Sequence, residues 1–107
     1  MDIEKQNNKS ICNILFGPSD APEVAYKDCG MFLYTLAKYF NWNSTYVYYK
    51  TRESDTLWNQ EFSSYVNTVC IGKTSDYKKQ IELAKLYLRE HIHEFDVIMF
   101  FNYGSTV

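Results

Sequence analysis

The stretch Ile11-Cys12-Asn13-Ile14-Leu15-Phe16, followed by a turn at Gly17-Pro18-Ser19-Asp20 and by Asp28-Cys29-Gly30 at the head of an apolar helical pattern, decides the fold. A run interrupted only by Asn13 suits a strand covered on both faces, as in the middle of a parallel sheet, and the Gly-Pro pair ends it. Leu33, Leu36, Ala37 and Phe40 then recur at helical spacing. Asp28 is placed to cap this helix with its carboxylate, Asn41 to stop it, and Trp42 to pack beneath the turn. In parallel α/β sheets, ligands sit beyond the carboxyl ends of the strands, where the first helix presents backbone N–H donors. The Gly17 to Lys27 segment is longer than the roughly 2 to 6 residues usual in such a connection and is the leading place for a ligand.

Outward from this unit, Ser44 to Lys50 carries Thr45, Tyr46, Val47, Tyr48 and Tyr49, a β-branched and aromatic composition that predicts a second strand. Thr51 to Ser64 is a crossover with a short helix, Asp55 near its start and Leu57, Trp58 and Phe62 toward the sheet. Tyr65 to Ile71 predicts a third strand stopped by Gly72. Thr74 or Ser75 caps a long helix whose stripe is Tyr77, Ile81, Ala84 and Leu88. Phe95 to Phe101 predicts the fourth strand. The alternation implies an α/β fold, a three-layer Rossmann-like open parallel sheet of about four strands. Residues 1–10 read as a polar, disordered or extended lead-in, and residues 11–107 as one Rossmann-like domain. A fourth strand lying beside the first would expose its far edge. The expectation is therefore a domain incomplete by itself, half of a larger unit or covered by a partner.

Composition narrows the function. A net charge of −2 with both signs interspersed argues against a basic nucleic-acid surface, so no nucleic-acid partner is expected. Ten Tyr and seven Phe must supply much of the core, with tyrosine hydroxyls either partnered or at the rim. Cys12, Cys29 and Cys70 are odd in number and far apart, which suggests neither a disulfide framework nor a zinc site, and a reducing cytoplasm fits. No secretory leader or membrane-spanning run stands in the sequence, and peripheral membrane attachment is left to a part of a longer protein outside this chain.

No Gly-x-Gly-x-x-Gly follows the first strand and no Walker sequence is present, so the usual dinucleotide and triphosphate sites lack support and no cofactor is expected. A receiver domain would need acidic residues where Phe16 and Gly17 stand. His91 and His93, two apart, point to different faces of a helix end beside Glu90 and Glu94, the pattern of a solvated helix terminus rather than of metal ligands. Cys29 at a helix start could be an acidified thiol, but without a nucleophile signature it reads as a packing residue. Asn102-Tyr103-Gly104-Ser105-Thr106 would follow the fourth strand onto the same carboxyl edge as the Gly17 loop, and Asn102, Tyr103 and Ser105 would offer neutral hydrogen bonds to a ligand there.

The helix entry Asp28-Cys29-Gly30-Met31-Phe32-Leu33-Tyr34-Thr35-Leu36-Ala37-Lys38-Tyr39-Phe40, with Phe95-Asp96-Val97-Ile98-Met99, resembles the amino-terminal half-domain of a GT-B fold glycosyltransferase of the large retaining, family 4-like group. The first stretch is similar to that family's Gly-rich entry into a first helix, the second to its Asp-Val-Ile strand. Cys29-Gly30 stands where the family often has paired glycines. The resemblance implies a nucleotide-sugar donor and a glycan or lipid-linked acceptor. It also implies a second domain that carries most donor contacts, so this chain alone would be inactive. Gly17, Ser19, Asp20, Asp28 and the Gly30 backbone would line the interdomain cleft, with Asn102, Tyr103 and Ser105 toward the acceptor, and no residue of this half stands out as the chemical acid or base. The alternative is a standalone, non-catalytic Rossmann-like binding or assembly module that covers its open edge by oligomerising.

Overall fold

The computed structural model of the chain describes residues 8–102. Tyr103 and Ser105 lie outside the described residues, as does most of the lead-in. Strand β1 is Ser10–Phe16, short helix α1 Pro22–Ala25, helix α2 Cys29–Phe40, strand β2 Asn43–Lys50, and short helix α3 Gln60–Tyr65. Strand β3 is Val66–Lys73, helix α4 Tyr77–His91, followed by a 3-10 turn Ile92–Glu94, and strand β4 Val97–Asn102. The four strands form one all-parallel sheet in the order β3-β2-β1-β4.

The continuous apolar run of β1 finds its reason in this order. With a strand on either side, β1 is buried from Ile11 to Phe16 and sends alternate side chains to opposite faces. Ile11 and Leu15 join Leu33 of α2, Phe62 of α3, Tyr46 and Val66 in one core layer. Cys12, Ile14 and Phe16 join Val47, Tyr49 and Ala84 of α4 in the other. Helices thus cover both faces, giving the three-layer architecture.

Helix α2 ends as expected: Asn41 adopts the left-handed conformation (φ 62°) and Trp42 N–H reaches back to the Leu36 carbonyl at 3.1 Å. Its start differs from expectation. Asp28 has helical rather than extended backbone angles and its carboxylate makes no capping bond. The short turn of α1 leads straight into α2, so the extended N-cap geometry that aims a side chain back at the first N–H groups is not available. Phe40 also lies outside the core, 64% exposed, in a last turn of α2 where Lys38 and Tyr39 are exposed as well.

The crossover after β2 departs further. Asp55 starts no helix; it pairs with Lys50 at 2.7 Å, and Leu57 is 84% exposed. The helix begins later, where Asn59 Oδ1 accepts from Glu61 N–H (2.8 Å) and Phe62 N–H (3.2 Å), so only Trp58 and Phe62 turn inward. Likewise Asp76, and not Thr74 or Ser75, caps α4 through Lys78 N–H, while Thr74 Oγ1 accepts from Asp76 N–H one step earlier. Tyr77 is half exposed, and Gln80 takes the buried place above Ala84 on that stripe. Strand β3 starts at Val66 because Tyr65 closes α3, and it runs through Gly72 to Lys73. Phe95 closes the 3-10 turn, so β4 starts two residues later than its apolar run.

One glycine holds two helices together. A Cβ on Gly30 would stand 1.9 Å from the Ala25 carbonyl oxygen, a backbone atom that cannot move aside without displacing α1. Gly30→Ala is expected to destabilise the domain by roughly 1–3 kcal/mol, the cost of overpacking. A urea unfolding midpoint unchanged from the parent chain would refute this close approach.

Candidate functional site

The carboxyl edge of the sheet gathers the ends of β1 and β4, with Phe16 directly opposite Asn102 in the register. Gly17 follows Phe16 with φ 98°, a conformation that favours glycine. Its N–H donates to Gln80 Oε1 at 2.8 Å, and Gln80 Nε2 donates back to the Gly17 carbonyl (3.3 Å) and to the Thr74 carbonyl (3.0 Å). Asn102 is exposed and its Nδ2 meets Tyr77 Oη at 3.3 Å. Between them Phe16 is packed by Tyr77 edge-on and by Phe100 and Tyr49 in stacked fashion. Gly17 and Asn102 are therefore brought together, as the parallel order requires.

Ser19 and Asp20 are placed differently: both are fully buried. Ser19 Oγ accepts from Tyr49 N–H at 3.0 Å and its carbonyl accepts from Tyr46 Oη at 2.7 Å. The Asp20 carboxylate accepts from Thr51 N–H (2.7 Å), Thr51 Oγ1 (2.6 Å) and Arg52 N–H (3.2 Å). The Asp20 carbonyl accepts from Arg52 Nη2 at 3.1 Å and Thr56 Oγ1 at 2.9 Å. These groups tie the loop after β1 to the loop after β2 and face inward.

Asp28 lies elsewhere, on the α2 side of the sheet. With Lys27, Cys29, Met31, Phe32 and the β4 residues Met99 and Phe101 it borders an open, mainly apolar cleft of about 490 Å³. Gly30 is buried against Ala25. The sequence-predicted residues thus divide into three places: Gly17 and Asn102 at the edge, Ser19 and Asp20 beneath it, and Asp28 beside a separate cleft.

The two buried thiols are poor nucleophiles here. Burial pushes the Cys12 thiol up to about 12. It pushes Cys29 up to about 11, more than the Cys29 and Gly30 N–H groups and the Asn13 amide draw it down. His91 stands near the opposite, amino edge, its ring on Tyr87 (4.4 Å) and its Nδ1 2.9 Å from Glu94. Among the described residues no three His, Cys, Asp or Glu side chains are grouped to hold a metal ion, and no helix is long and apolar enough to cross a membrane.

Gln80, Thr51, Tyr46 and Tyr49 were not singled out in the sequence, yet they shape this edge. The available signal for Gln80 was a polar residue four positions before Ala84 on the sheet-facing stripe of α4. No protein-family model, curated protein or solved structure matches the chain.

Burial pushes the Asp20 carboxyl up, but its hydrogen bonds from Thr51 and Arg52 outweigh that and hold it below the usual carboxylate value. A carboxyl depressed in the folded state contributes stability above its unfolded pKa and loses it as pH falls through the folded one. Thermal stability should therefore drop on acidification below about pH 4. Asp20→Asn should lower stability at neutral pH and flatten that acid limb. An acid limb of the same steepness in Asp20→Asn would exclude Asp20 as its source.

Proposed function

We propose that this chain is the acceptor-side, amino-terminal half-domain of a GT-B-like glycosyltransferase, one wall of the cleft in which a sugar passes from a nucleotide-sugar donor to a glycan or lipid-linked acceptor. The observation that carries the reading is the pairing of Phe16 with Asn102. It puts the outgoing chain of β1 and the end of β4 side by side at the carboxyl edge of a parallel sheet. The resemblance of the α2 entry and of the Asp96-Val97-Ile98 strand supplies the family. In this reading Asn102, Tyr103 and Ser105 orient the acceptor, and Gly17 lets the backbone approach it. Ser19 and Asp20 keep the floor rigid from below. Asp28 stands at the mouth of the neighbouring cleft.

Catalysis requires the donor-binding half. No glycine cradle for a diphosphate follows β1, the α2 start is packed against α1 through Gly30, and burial holds the Cys12 and Cys29 thiols protonated. What this half contributes is position: an acceptor held in one orientation gives up its rotational freedom before the chemical step. The setting is cytoplasmic, with the membrane approached by the remainder of a longer enzyme where the acceptor is lipid-linked.

Amide chemical-shift mapping on the chain tests this. UDP-glucose and GDP-mannose are expected to bind more weakly than about 1 mM. Free glycan acceptors should shift Gly17 and Asn102, and Asn102→Ala should abolish the response. Sub-millimolar nucleotide-sugar binding, or silence at both residues across a panel of glycans, would overturn the reading.

A second reading, a standalone assembly module, is favoured by β4. It is an edge strand with no charged side chain, and Val97, Phe100 and Phe101 are each more than a third exposed. Such an edge invites pairing. Sedimentation of this chain should show concentration-dependent dimers that Phe100→Lys disperses if it acts alone. A monomer throughout would dismiss this second reading.

A further inference from the structure

At the amino edge, beneath the last turns of α4, a cavity of about 440 Å³ opens between the helix and the sheet. Its floor is polar: Thr45 is buried at its inner end, and Asn43 and Asn67 stand exposed at its mouth. Asn43 and Thr45 are two apart on β2 and share a face, and Thr45 is the direct cross-strand partner of Asn67 on β3. Its wall is Tyr87 and His91, one helical turn apart on α4, and Glu94 closes the end. Thr68, Val69 and Phe95 complete the lining.

These polar groups are mostly unspent. Asn67 Nδ2 approaches Asn43 Oδ1 at 3.5 Å, and His91 Nδ1 meets Glu94 Oε2 at 2.9 Å. The Asn43 Nδ2, Asn67 Oδ1, Thr45 hydroxyl and Tyr87 hydroxyl have no hydrogen-bond partner among the described residues. Both donors and acceptors border the one space. No Lys or Arg lines the cavity and the His91 ring is engaged by Glu94, so an anion finds no counter-charge. One carboxylate does not make a cation site. An apolar occupant would cut these polar groups off from water without giving them a partner.

We infer that this cavity is a binding site for a small neutral polyhydroxyl compound, of the size of one sugar ring or a cyclitol. Each vicinal hydroxyl both donates and accepts, which matches an amide donor, an amide carbonyl and two hydroxyls set around one cavity. The site lies at the opposite end of the strands from Gly17 and Asn102 and does not depend on the glycosyltransferase reading.

Titrating isotope-labelled chain with myo-inositol and with methyl α-glucoside tests it, with acetate as an anionic control. Saturable shifts are expected at the Asn43 and Asn67 side-chain amides and at the Thr45 and His91 backbone amides, with a Kd in the range of about 1–10 mM, and none with acetate. Thr45→Val and Asn67→Leu should each weaken binding about tenfold or more. The Gly17 and Asn102 signals report separately on the acceptor edge. Absence of saturable shifts at Asn43 and Asn67 with both polyols would overturn the inference, as would equal shifts with acetate. Should either variant fail to fold, the parent titration decides alone.

Discussion

A carboxylate with no solvent contact, Asp20, fixes the geometry of the whole carboxyl edge. An ionised carboxyl in the interior persists only when its lone pairs are met, and Asp20 meets them with two N–H groups and one hydroxyl from Thr51 and Arg52. The loop after β1 is consequently laced to the loop after β2, and Ser19 adds a second tie through Tyr46 and Tyr49. Gln80 supplies the third from α4, clasping both the N–H and the carbonyl of Gly17. Each partner comes from a different element, so the edge is ordered as one piece with the sheet and with the helix behind it. Removing any one member would leave buried groups unmet in the others, which makes this network more consequential than its few bonds suggest.

The core follows from the same strand. Because β1 is flanked on both sides and covered on both faces, it needs apolar side chains from Ile11 to Phe16, and within that run only Asn13 departs. That pattern made the sheet legible from the sequence, along with α2, α4 and the adjacency of β1 and β4. The tyrosines divided as their chemistry demands. Tyr46 and Tyr49 are buried with hydroxyls on the Ser19 and Gln80 carbonyls, while Tyr39, Tyr65 and Tyr77 stand at the rim.

Less legible were the places where a short polar side chain chooses among several backbone groups. The expected helix starts were Asp28, Asp55 and Thr74 or Ser75, and the structure uses Asn59 and Asp76 instead. Sequence pattern shows that a residue can cap, but the direction of the incoming chain decides whether its oxygen faces the helix. At Asp28 the preceding turn of α1 already runs helically, and at Asp55 a lysine on β2 takes the carboxylate. The candidate site suffered in the same way. Ser19 and Asp20 have the chemistry of ligand contacts, but nothing in their own segment announces that Thr51, Arg52, Tyr46 and Tyr49 will claim them from β2 and the loop beyond it.

This division between spent and unspent polar groups distinguishes the two ends of the sheet. At the carboxyl edge the polar loop residues are consumed internally, leaving Asn102 and the Gly17 turn as the exposed features. At the amino edge the polar residues lie on the strands themselves, where Asn43, Thr45 and Asn67 interrupt the apolar face beneath α4 and keep their hydrogen-bonding capacity. The backbone at Asn43 and Thr45 is held between β1 and β3, and at Asn67 by β2, so these side chains start from fixed positions as those of a loop do not. Polar side chains fixed in that way either meet a neighbouring group across the sheet or remain available to something outside the chain. Rigid placement without internal satisfaction is what a pre-organised recognition surface requires. By that criterion the amino-edge cavity, rather than the Gly17 loop, has the stronger physical case for a small ligand within this chain alone.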